Sequence, residues 1–356
     1  MKDSIAALLI LLTVFFTKPS FAVNNVYEFG KTNALSHLTL YSTVDIKTLS
    51  PLITHFISLN PDIRIQYEQM GEVDLYDRVI REKDQPKAGL VISSAMDLQL
   101  KLVNDGFAQR YQSVITDELP TMTTWRNQVF AFSLEPIVMV ANRGLFPNSE
   151  FPNNRQELLQ TIRKYSNDIK GRIGTYDVRN SGVGYLLASQ DSRQANTTWG
   201  RLLEAFGSHK VRTYCCSNEI IDDIESGRIV LGYNVLGSSA YQRVLKNPWL
   251  IMIIPSDYTL MLMRVALIPK NTANARNGEL FLDYLLSDIG QKMMQTENLL
   301  YPIKELPGQS PQSLSPSHPT RIIELDQQLL LGRDYAKQKR FIEEWEYALE
   351  LNAEIK

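Results

Sequence analysis

The sequence predicts an α/β fold of two doubly wound lobes joined by two crossing strands. Three observations predict it. Strand and helix patterns alternate over residues 38–105, and they alternate again over residues 172–254. Two long apolar runs, Val129 to Ala141 and Leu260 to Pro269, follow the two stretches. Alternating β and α segments are typical of an open sheet that is covered by helices on both faces.

The first stretch contains three predicted strands. They cover Leu38 to Tyr41, Ile63 to Tyr67, and the nearly continuous apolar run Ala88 to Ser93. A continuous apolar run is expected for a strand that is buried on both faces. The predicted helices carry Leu52, Ile53, Phe56 and Ile57, then Asp74 to Glu82, then Ala95 to Asn104. Asn60-Pro61 ends the first helix, because the residue before proline is pushed out of the helical region, and Gly106 suits the end of the third.

The second stretch repeats this order. Its predicted strands are Arg172 to Tyr176, Arg228 to Tyr233 and Leu250 to Ile254, and its helices begin at Ser181, Trp199 and Glu219. Helices at Gly278 to Leu286 and Ile289 to Glu297 follow, then a Pro- and Ser-rich loop over 302–320 and a last helical region from Asp326 to Leu351. We therefore expect a first lobe of residues 23–135 and 266–356 and a second lobe of residues 136–265.

The first 22 residues are typical of a cleaved secretory signal. Lys2 is followed by an apolar run from Ile5 to Phe16, and Ser20-Phe21-Ala22 ends in small residues. This run is shorter than the roughly 20 residues that a spanning helix needs. The alternative is an anchor that stays uncut. Cleavage would place the mature chain in the periplasm of a bacterium.

Charge argues against some partners. The whole chain has a formal charge of −2, and the predicted signal carries one net positive charge, so the mature chain is slightly more acidic. A mildly acidic chain without a basic block is a poor ligand for nucleic acid or for anionic lipid. We expect no nucleic-acid partner and a monomer.

The only cysteines, Cys215 and Cys216, are adjacent. An intramolecular disulfide between them would be a small strained ring, which does not staple distant parts of the fold. The histidines, His37, His55, His209 and His318, show no zinc-type spacing. The sequence therefore predicts no metal and no cofactor. The cysteine pair is interpreted as a structural or incidental feature of a loop, with a redox or metal-binding role as the alternative.

Ligands of open α/β sheets bind beyond the carboxyl ends of the strands, and this rule selects candidate ligand residues. The selected residues are Ser42, Thr43, Ser93, Ser94, Arg179, Ser181, Gly182, Val183, Tyr233, Asn234, Asp257, Tyr258 and Arg264. They are hydroxyls, backbone amides, tyrosines and two arginines. Helix N-termini favour anions, and an arginine fork recognises carboxylate or phosphate. We expect a small oxyanion, although Arg179 and Arg264 could instead pair with Asp177 and Asp257.

Catalytic signatures are absent from the sequence. There is no G-x-S-x-G elbow, and no Gly-Lys-Ser/Thr follows Ser181-Gly182-Val183-Gly184, so this loop is not a P-loop. The sequence therefore predicts no enzyme and no catalytic residue.

The order of these segments resembles that of type II periplasmic solute-binding proteins, in the branch of the ferric-ion-binding proteins. The matching segments cover most of residues 36–300: Leu38–Ser42, Asn60–Tyr67, Ala88–Asp105, Phe132–Val140, Gly171–Gly184, Gly227–Gly237, Pro255–Thr259 and Phe281–Gln291. The resemblance implies a hinge of two crossing strands and a cleft that closes on a solute. Ferric-binding members carry two adjacent tyrosines after the strand that matches Ile229–Tyr233. Here Asn234-Val235 follows instead, which argues against iron.

The chain is also similar to secreted regulators of phosphoglycerate transport in enteric bacteria. This similarity implies capture of a small phosphorylated carboxylate, with a membrane sensor kinase or an ABC permease as partner. Two alternatives stay open at the level of sequence. One is an iron or metal-anion carrier that uses Tyr185, Tyr233 and Tyr258, and the other is a periplasmic phosphatase or lyase.

Overall fold

The computed structural model describes residues 25–146, 148, 150–296, 301–303 and 319–350. The predicted signal segment and most of the predicted Pro- and Ser-rich loop lie outside the described residues. Within the described ranges, no helix is both long and apolar enough to cross a membrane.

The described strands form one continuous path in the order β1-β3-β2-β4-β11-β6-β9-β7-β8, with four further strands beside it. Their bounds are β1 (Asn25–Phe29), β2 (Ser36–Ser42), β3 (Ile63–Gln69), β4 (Leu90–Ser93), β5 (Thr124–Trp125), β6 (Val129–Asn142), β7 (Ile173–Tyr176), β8 (Arg212–Tyr214), β9 (Leu231–Leu236), β10 (Leu250–Ile253), β11 (Thr259–Leu267), β12 (Tyr301–Pro302) and β13 (Thr320–Ile322).

Fourteen α-helices are described, and most of them connect consecutive strands. Their bounds are α1 (Ile46–Leu59), α2 (Glu72–Arg81), α3 (Met96–Asn104), α4 (Val114–Asp117), α5 (Arg155–Lys164), α6 (Ser166–Ile169), α7 (Gly182–Gln194), α8 (Asn196–Ser208), α9 (Ser217–Glu225), α10 (Gly237–Val244), α11 (Ala275–Leu286), α12 (Asp288–Thr296), α13 (Gln328–Gly332) and α14 (Tyr335–Ala348).

The predicted α/β fold class, with two crossing strands, is confirmed. Strands β2, β3 and β4 are parallel in the first half of the path, and β7, β8 and β9 are parallel in the second half. Strands β6 and β11 lie antiparallel at the centre; β11 pairs with β4 on one side, and β6 pairs with β9 on the other. Every residue of these two strands is buried, which explains why the sequence shows them as long apolar runs.

One predicted strand was placed too early in the chain. The sequence predicted Arg228 to Tyr233, whereas β9 covers Leu231–Leu236 and leads directly into α10. The pairing with β6 begins only at Leu231, which lies opposite Ala141. The buried residues Ile229 and Val230 come before the strand, so apolar character alone did not locate its end.

The C-terminal helix differs from the expected lobe division. Helices α11 and α12 pack on α1 and on the strands beside it. Helix α14 instead packs on α8 of the second lobe, where Trp345 and Leu349 join that lobe's apolar core and Phe341 stacks on Trp199. Burying these large apolar side chains stabilises that position. The remaining lobe limits stay a proposal.

Candidate functional site

A cavity of about 540 Å³ lies between the two lobes, at the carboxyl ends of the strands. The first lobe contributes Asn25, Thr43, Asp45, Thr48, Gln69, Met70, Gly71, Glu72, Val73, Asp74 and Ser94. The second lobe contributes Tyr176, Arg179, Asn180, Val183, Cys215, Cys216, Ser217, Asn218, Leu236 and Ser239, and Arg264 comes from β11. Of the predicted ligand residues, the cavity brings together Thr43, Ser94, Arg179, Val183 and Arg264.

Three predicted serines shape the loops directly behind this wall. The hydroxyl of Ser42 accepts a hydrogen bond from the backbone N–H of Val44, and that of Ser93 accepts one from Ala95. Ser181 caps α7 by accepting from the N–H of Gly184. All three serines are buried. Their hydroxyls therefore fix the loops at the strand ends.

Gly182 lies at a close approach of the two lobes. A Cβ atom at this position would come within 2.8 Å of the Cβ of Glu72 and 3.2 Å of the Cβ of Ala95. Glycine is therefore required for the close approach of α7 to α2 and α3. Ser181 and Gly182 also line a neighbouring cavity of about 220 Å³.

The lobes also meet through a hydrogen bond across the cleft. Asn218, in the first turn of α9, donates from Nδ2 to Oδ2 of Asp45 at 2.9 Å. Asp45 is itself the N-cap of α1, where its other oxygen accepts from the N–H of Lys47. The structure thus shows a closed arrangement in which helix N-termini from both lobes face one cavity.

Arg264 provides a buried positive charge between the lobes. Its side chain is 4 % exposed and forms an ion pair with the fully buried Glu135 of β6, with 2.7 Å between Nε and Oε1. It also donates to the hydroxyl of Ser238 at 3.1 Å, and that hydroxyl donates to Glu135 at 2.7 Å. These contacts hold the guanidinium on the hinge strands, where it lines the cavity.

Arg179 is the second cationic side chain of the cavity, and its guanidinium already pairs with two acidic neighbours. Its Nε and Nη2 donate to both carboxylate oxygens of Asp177 at 2.9 and 2.7 Å. Its Nη1 lies 3.6 Å from Glu346 of α14. The predicted salt bridge to Asp177 is therefore present, and Arg179 is available to a ligand only through its remaining exposed face.

Three carboxylates, Asp45, Glu72 and Asp74, also line the cavity, and none of them belonged to the predicted set. Burial raises the pKa of Glu72, while the Ser94 hydroxyl, which donates to its Oε1 at 3.4 Å, opposes the rise. A carboxyl group with a raised pKa carries less negative charge near neutral pH. The sequence predicts this helix from Asp74, whereas α2 begins at Glu72, so the prediction did not place Glu72 at the helix start that faces the cavity.

Tyr176 and Ser217 form the floor on the side of the second lobe. Their hydroxyls are 2.5 Å apart, and Ser217 also accepts from the N–H of Leu236. Burial raises the pKa of Tyr176, so this phenol stays protonated. Ser217 and Asn218 belong to the first turn of α9, whereas the sequence predicts this helix only from Glu219, so neither residue was among the predicted ligand residues.

The structure places the four other predicted residues, Tyr233, Asn234, Asp257 and Tyr258, in a separate cluster, in which Tyr233, Asn234 and Tyr258 are buried and Asp257 is exposed. Because β9 continues to Leu236, Tyr233 and Asn234 lie inside the strand and not at its carboxyl end. For this reason the predicted ligand residues Tyr233 and Asn234 do not line the cavity. Leu236 and Ser239 line it instead.

Arg155 and Asp191 form the centre of that cluster. Both are about 1 % exposed, and Nη2 of Arg155 lies 3.0 Å from Oδ1 of Asp191. Asp191 also accepts from Tyr233, Asn234 and Tyr258, each at 2.8 Å. Arg155 pairs further with Asp257 at 2.9 Å and donates from Nε to Tyr233 at 2.9 Å. We call these six residues the Arg155 cluster; its groups are satisfied by one another.

The three tyrosines of the iron-carrier alternative do not meet at one site, because Tyr185 lies apart from Tyr233 and Tyr258. Tyr233 and Tyr258 donate to Asp191, whereas Tyr185 donates to the carbonyl oxygen of Gly332. Burial raises the pKa of all three, that of Tyr185 to about 12. Neutral, engaged phenols are poor ligands for Fe(III), which prefers anionic oxygen. In the described part of the chain, only Cys215, Cys216 and Glu219 form a group with metal-ligand spacing, and the two sulfur atoms are bonded to each other.

The sequence matches the family model described as bacterial extracellular solute-binding protein over residues 38–297. The chain belongs to this family. It is 34 % identical to the substrate-binding protein of an ABC transporter from Agrobacterium tumefaciens, whose crystal structure has a TM-score of 0.86 and covers 93 % of this chain and 100 % of its own.

Two more distant structures share the fold. The periplasmic protein AfuA from Actinobacillus pleuropneumoniae, solved with fructose-6-phosphate, is 17 % identical (TM-score 0.73; 89 % of this chain and 99 % of that one). Iron-bound HitA from Pseudomonas aeruginosa is 15 % identical (TM-score 0.67; 90 % and 99 %). No curated protein matches the sequence significantly.

Membership of this family identifies the protein as a periplasmic solute-binding protein of the ABC-transporter type. Proteins of this type capture a small ligand and deliver it to a permease. Its relatives are binding proteins, so the prediction that the chain is not an enzyme is confirmed and the phosphatase alternative is not supported.

Proposed function

We propose that this protein captures a small phosphorylated organic anion, similar to phosphoglycerate, in the cavity between its lobes. The observation that carries the proposal is Arg264, a buried guanidinium fixed by Glu135 on the hinge strands and facing the cavity. A guanidinium held in this way recognises carboxylate or phosphate oxygens with little loss of side-chain freedom.

Helix N-termini support the same ligand class. The first turns of α2, α7 and α9 line the cavity through Glu72, Val183 and Ser217, and Ser94 directly precedes α3. Unpaired N–H groups and the positive end of the helix dipole stabilise an anion at such positions. Donors therefore come from both lobes.

The acidic side chains restrict which anion fits. Asp45 and Asp74 accept hydrogen bonds and repel a bare anion, so they suit the hydroxyl groups of the ligand. Glu72, whose pKa is raised, is a hydrogen-bond donor when it is protonated. A ligand with one phosphate and at least one hydroxyl group matches both sets of side chains, because the phosphate suits the cationic and N–H donors and the hydroxyl suits the carboxylates.

Closure couples capture to signalling or delivery. A ligand that touches both lobes binds the closed form more tightly and shifts the population towards it. The Asn218–Asp45 hydrogen bond stabilises the same closed form. We propose that the closed form is recognised by a membrane sensor kinase that regulates uptake of the ligand. This role is supported by the similarity to phosphoglycerate-transport regulators; delivery to an ABC permease is the alternative.

A thermal-shift screen of the mature protein tests the ligand class. The panel is 2- and 3-phosphoglycerate, phosphoenolpyruvate, hexose phosphates, dicarboxylates and ferric citrate. A specific ligand at about 100 times its Kd adds about 2.7 kcal/mol of stability. We expect a shift with phosphoglycerates that is lost in Arg264→Ala and kept in Arg276→Ala, an exposed arginine outside the cavity. A shift with dicarboxylates alone would contradict the phosphate assignment.

A further inference from the structure

The bonded pair Cys215–Cys216 lies in the wall of the solute cavity. It connects the end of β8 with the start of α9, and Cys216 is the N-cap residue of that helix. Cys215 is exposed and Cys216 is half-buried, and both line the cavity. These are the only cysteines of the sequence, so any response of the protein to thiol chemistry arises here.

The two residues after the pair fix the first turn of α9 and connect it to the opposite lobe. The hydroxyl of Ser217 forms hydrogen bonds with the hydroxyl of Tyr176 and with the N–H of Leu236, both within the second lobe. Asn218 donates across the cleft to Asp45 of the first lobe. The cysteine pair therefore directly precedes the residues that fix the first turn of α9 and join it to the opposite lobe.

We propose that the Cys215–Cys216 disulfide is a redox-sensitive positioning element, whose reduction weakens closure and solute capture. A disulfide between adjacent residues closes a small ring that includes the peptide bond between them, and this ring restricts the backbone. Opening it gives the loop more conformations, which must be lost again when Asn218 reaches Asp45. The proposal rests on the proposed function in that the cavity binds a solute.

The chemical step is a thiol–disulfide exchange with a dithiol reductant. A thiolate of the reductant attacks one sulfur of the pair, the Cys215–Cys216 bond breaks, and a mixed disulfide forms. The second thiolate of the reductant then releases the protein. Two electrons and two protons reach the protein as two thiols, and the reductant leaves as a disulfide. An oxidant of the disulfide class reverses the step.

The test compares oxidised protein, protein reduced with a phosphine in the presence of EDTA, and the variant C215S/C216S. Alkylation followed by intact mass counts the thiols, and EDTA prevents metal binding by freed thiolates. Calorimetry with 3-phosphoglycerate then measures affinity. We expect reduction to weaken binding about tenfold, within the range typical of coupling between distinct elements. C215S/C216S should bind like the reduced protein and should not respond to the phosphine.

A second measurement does not depend on the ligand. Hydrogen exchange without ligand should become faster after reduction at the starts of α1 and α9, the two ends of the Asn218–Asp45 contact, and should stay unchanged in α11. If no compound of the panel binds but this exchange responds, the ligand assignment fails and the redox coupling stands. Equal affinity of the oxidised protein and of protein with two verified thiols would overturn the proposal, as would two free thiols in protein isolated without reductant.

Discussion

The cavity and the Arg155 cluster contain the same kinds of residues. They differ in whether the polar groups of these residues are fully paired with one another or face open space. Each has a buried arginine, carboxylates, tyrosine and asparagine. In the Arg155 cluster, the carboxylate of Asp191 accepts from three side chains and pairs with Arg155, so the cluster is closed on itself. In the cavity, Arg264 is paired with Glu135 and still lines open space of about 540 Å³. Residue type alone therefore does not separate a structural network from a binding site.

The largest effect that this comparison predicts is on stability. Arg155→Met leaves Asp191 buried without its cationic partner, and removal of one partner of a buried ion pair costs about 3–5 kcal/mol. Urea unfolding of the mature protein measures the loss. Affinity of the folded protein for its solute should stay unchanged. The double variant R155M/D191N, which also removes the buried charge, should recover part of the stability. A large loss of affinity with unchanged stability would place the cluster in the binding site.

The next effect is on binding. Arg264→Ala should weaken solute binding by about 1–3 kcal/mol, the cost of a lost charged hydrogen bond. Because the substitution also leaves Glu135 buried and unpaired, the stability falls as well. The variant R264M/E135Q removes both charges and separates the two effects: calorimetry should still show weak binding, while the unfolding midpoint should recover. Full affinity in the double variant would exclude Arg264 as a ligand residue.

A smaller effect is expected for Arg179. Arg179→Ala should weaken binding by about 1 kcal/mol, because its guanidinium is partly exposed and shared with Asp177 and Glu346. Calorimetry at two salt concentrations checks this, since the contribution of an exposed charge decreases with added salt. A loss as large as that of Arg264→Ala, independent of salt, would show that the ligand displaces Asp177.

The smallest effect is a dependence on pH that Glu72 introduces into the cavity. Because burial raises its pKa, lowering the pH through that raised value neutralises the group and should tighten binding of an anion by less than about threefold. The stability of the fold depends on pH in the same direction as binding. The folded protein holds the proton of Glu72 more tightly than the unfolded chain, so stability falls as the pH rises through the raised pKa. Glu72→Gln should remove this part of both profiles. An unaltered slope in the variant would assign the dependence to another group.

The fold was predictable because its signals are local. The continuous apolar runs of β6 and β11 and the cap residue Ser181 each identify their own element. So does Gly106, which has a positive φ of 84° just after α3. The centre of the Arg155 cluster was not predictable, because Arg155 and Asp191 lie on different helices and their pairing depends on packing. Short helices such as α10, which follows β9 without a loop, also give no turn signal.

The candidate site was predictable only in part, since it depended on where each strand ends. Thr43 and Ser94 follow β2 and β4, whose ends were placed correctly to within one residue. The three-residue error at β9 selected Tyr233 and Asn234 in place of Leu236 and Ser239. Asp45, Glu72 and Asn218 belong to helix starts that were not examined as ligand positions, although they lie at the same edge of the sheet.

The C-terminal segment adds a third connection between the lobes. After β13, which pairs with β11, Leu329 enters the first core, and Arg333 forms a buried ion pair with Asp97 of α3 at 2.8 Å. A few residues later, Trp345 of α14 enters the core of the second lobe. Two hinge strands alone allow a broad swing, whereas a third tether limits its amplitude. Because Arg333 is fixed to the first lobe and Trp345 to the second, any movement of one lobe relative to the other must also rearrange the short chain segment between these two residues.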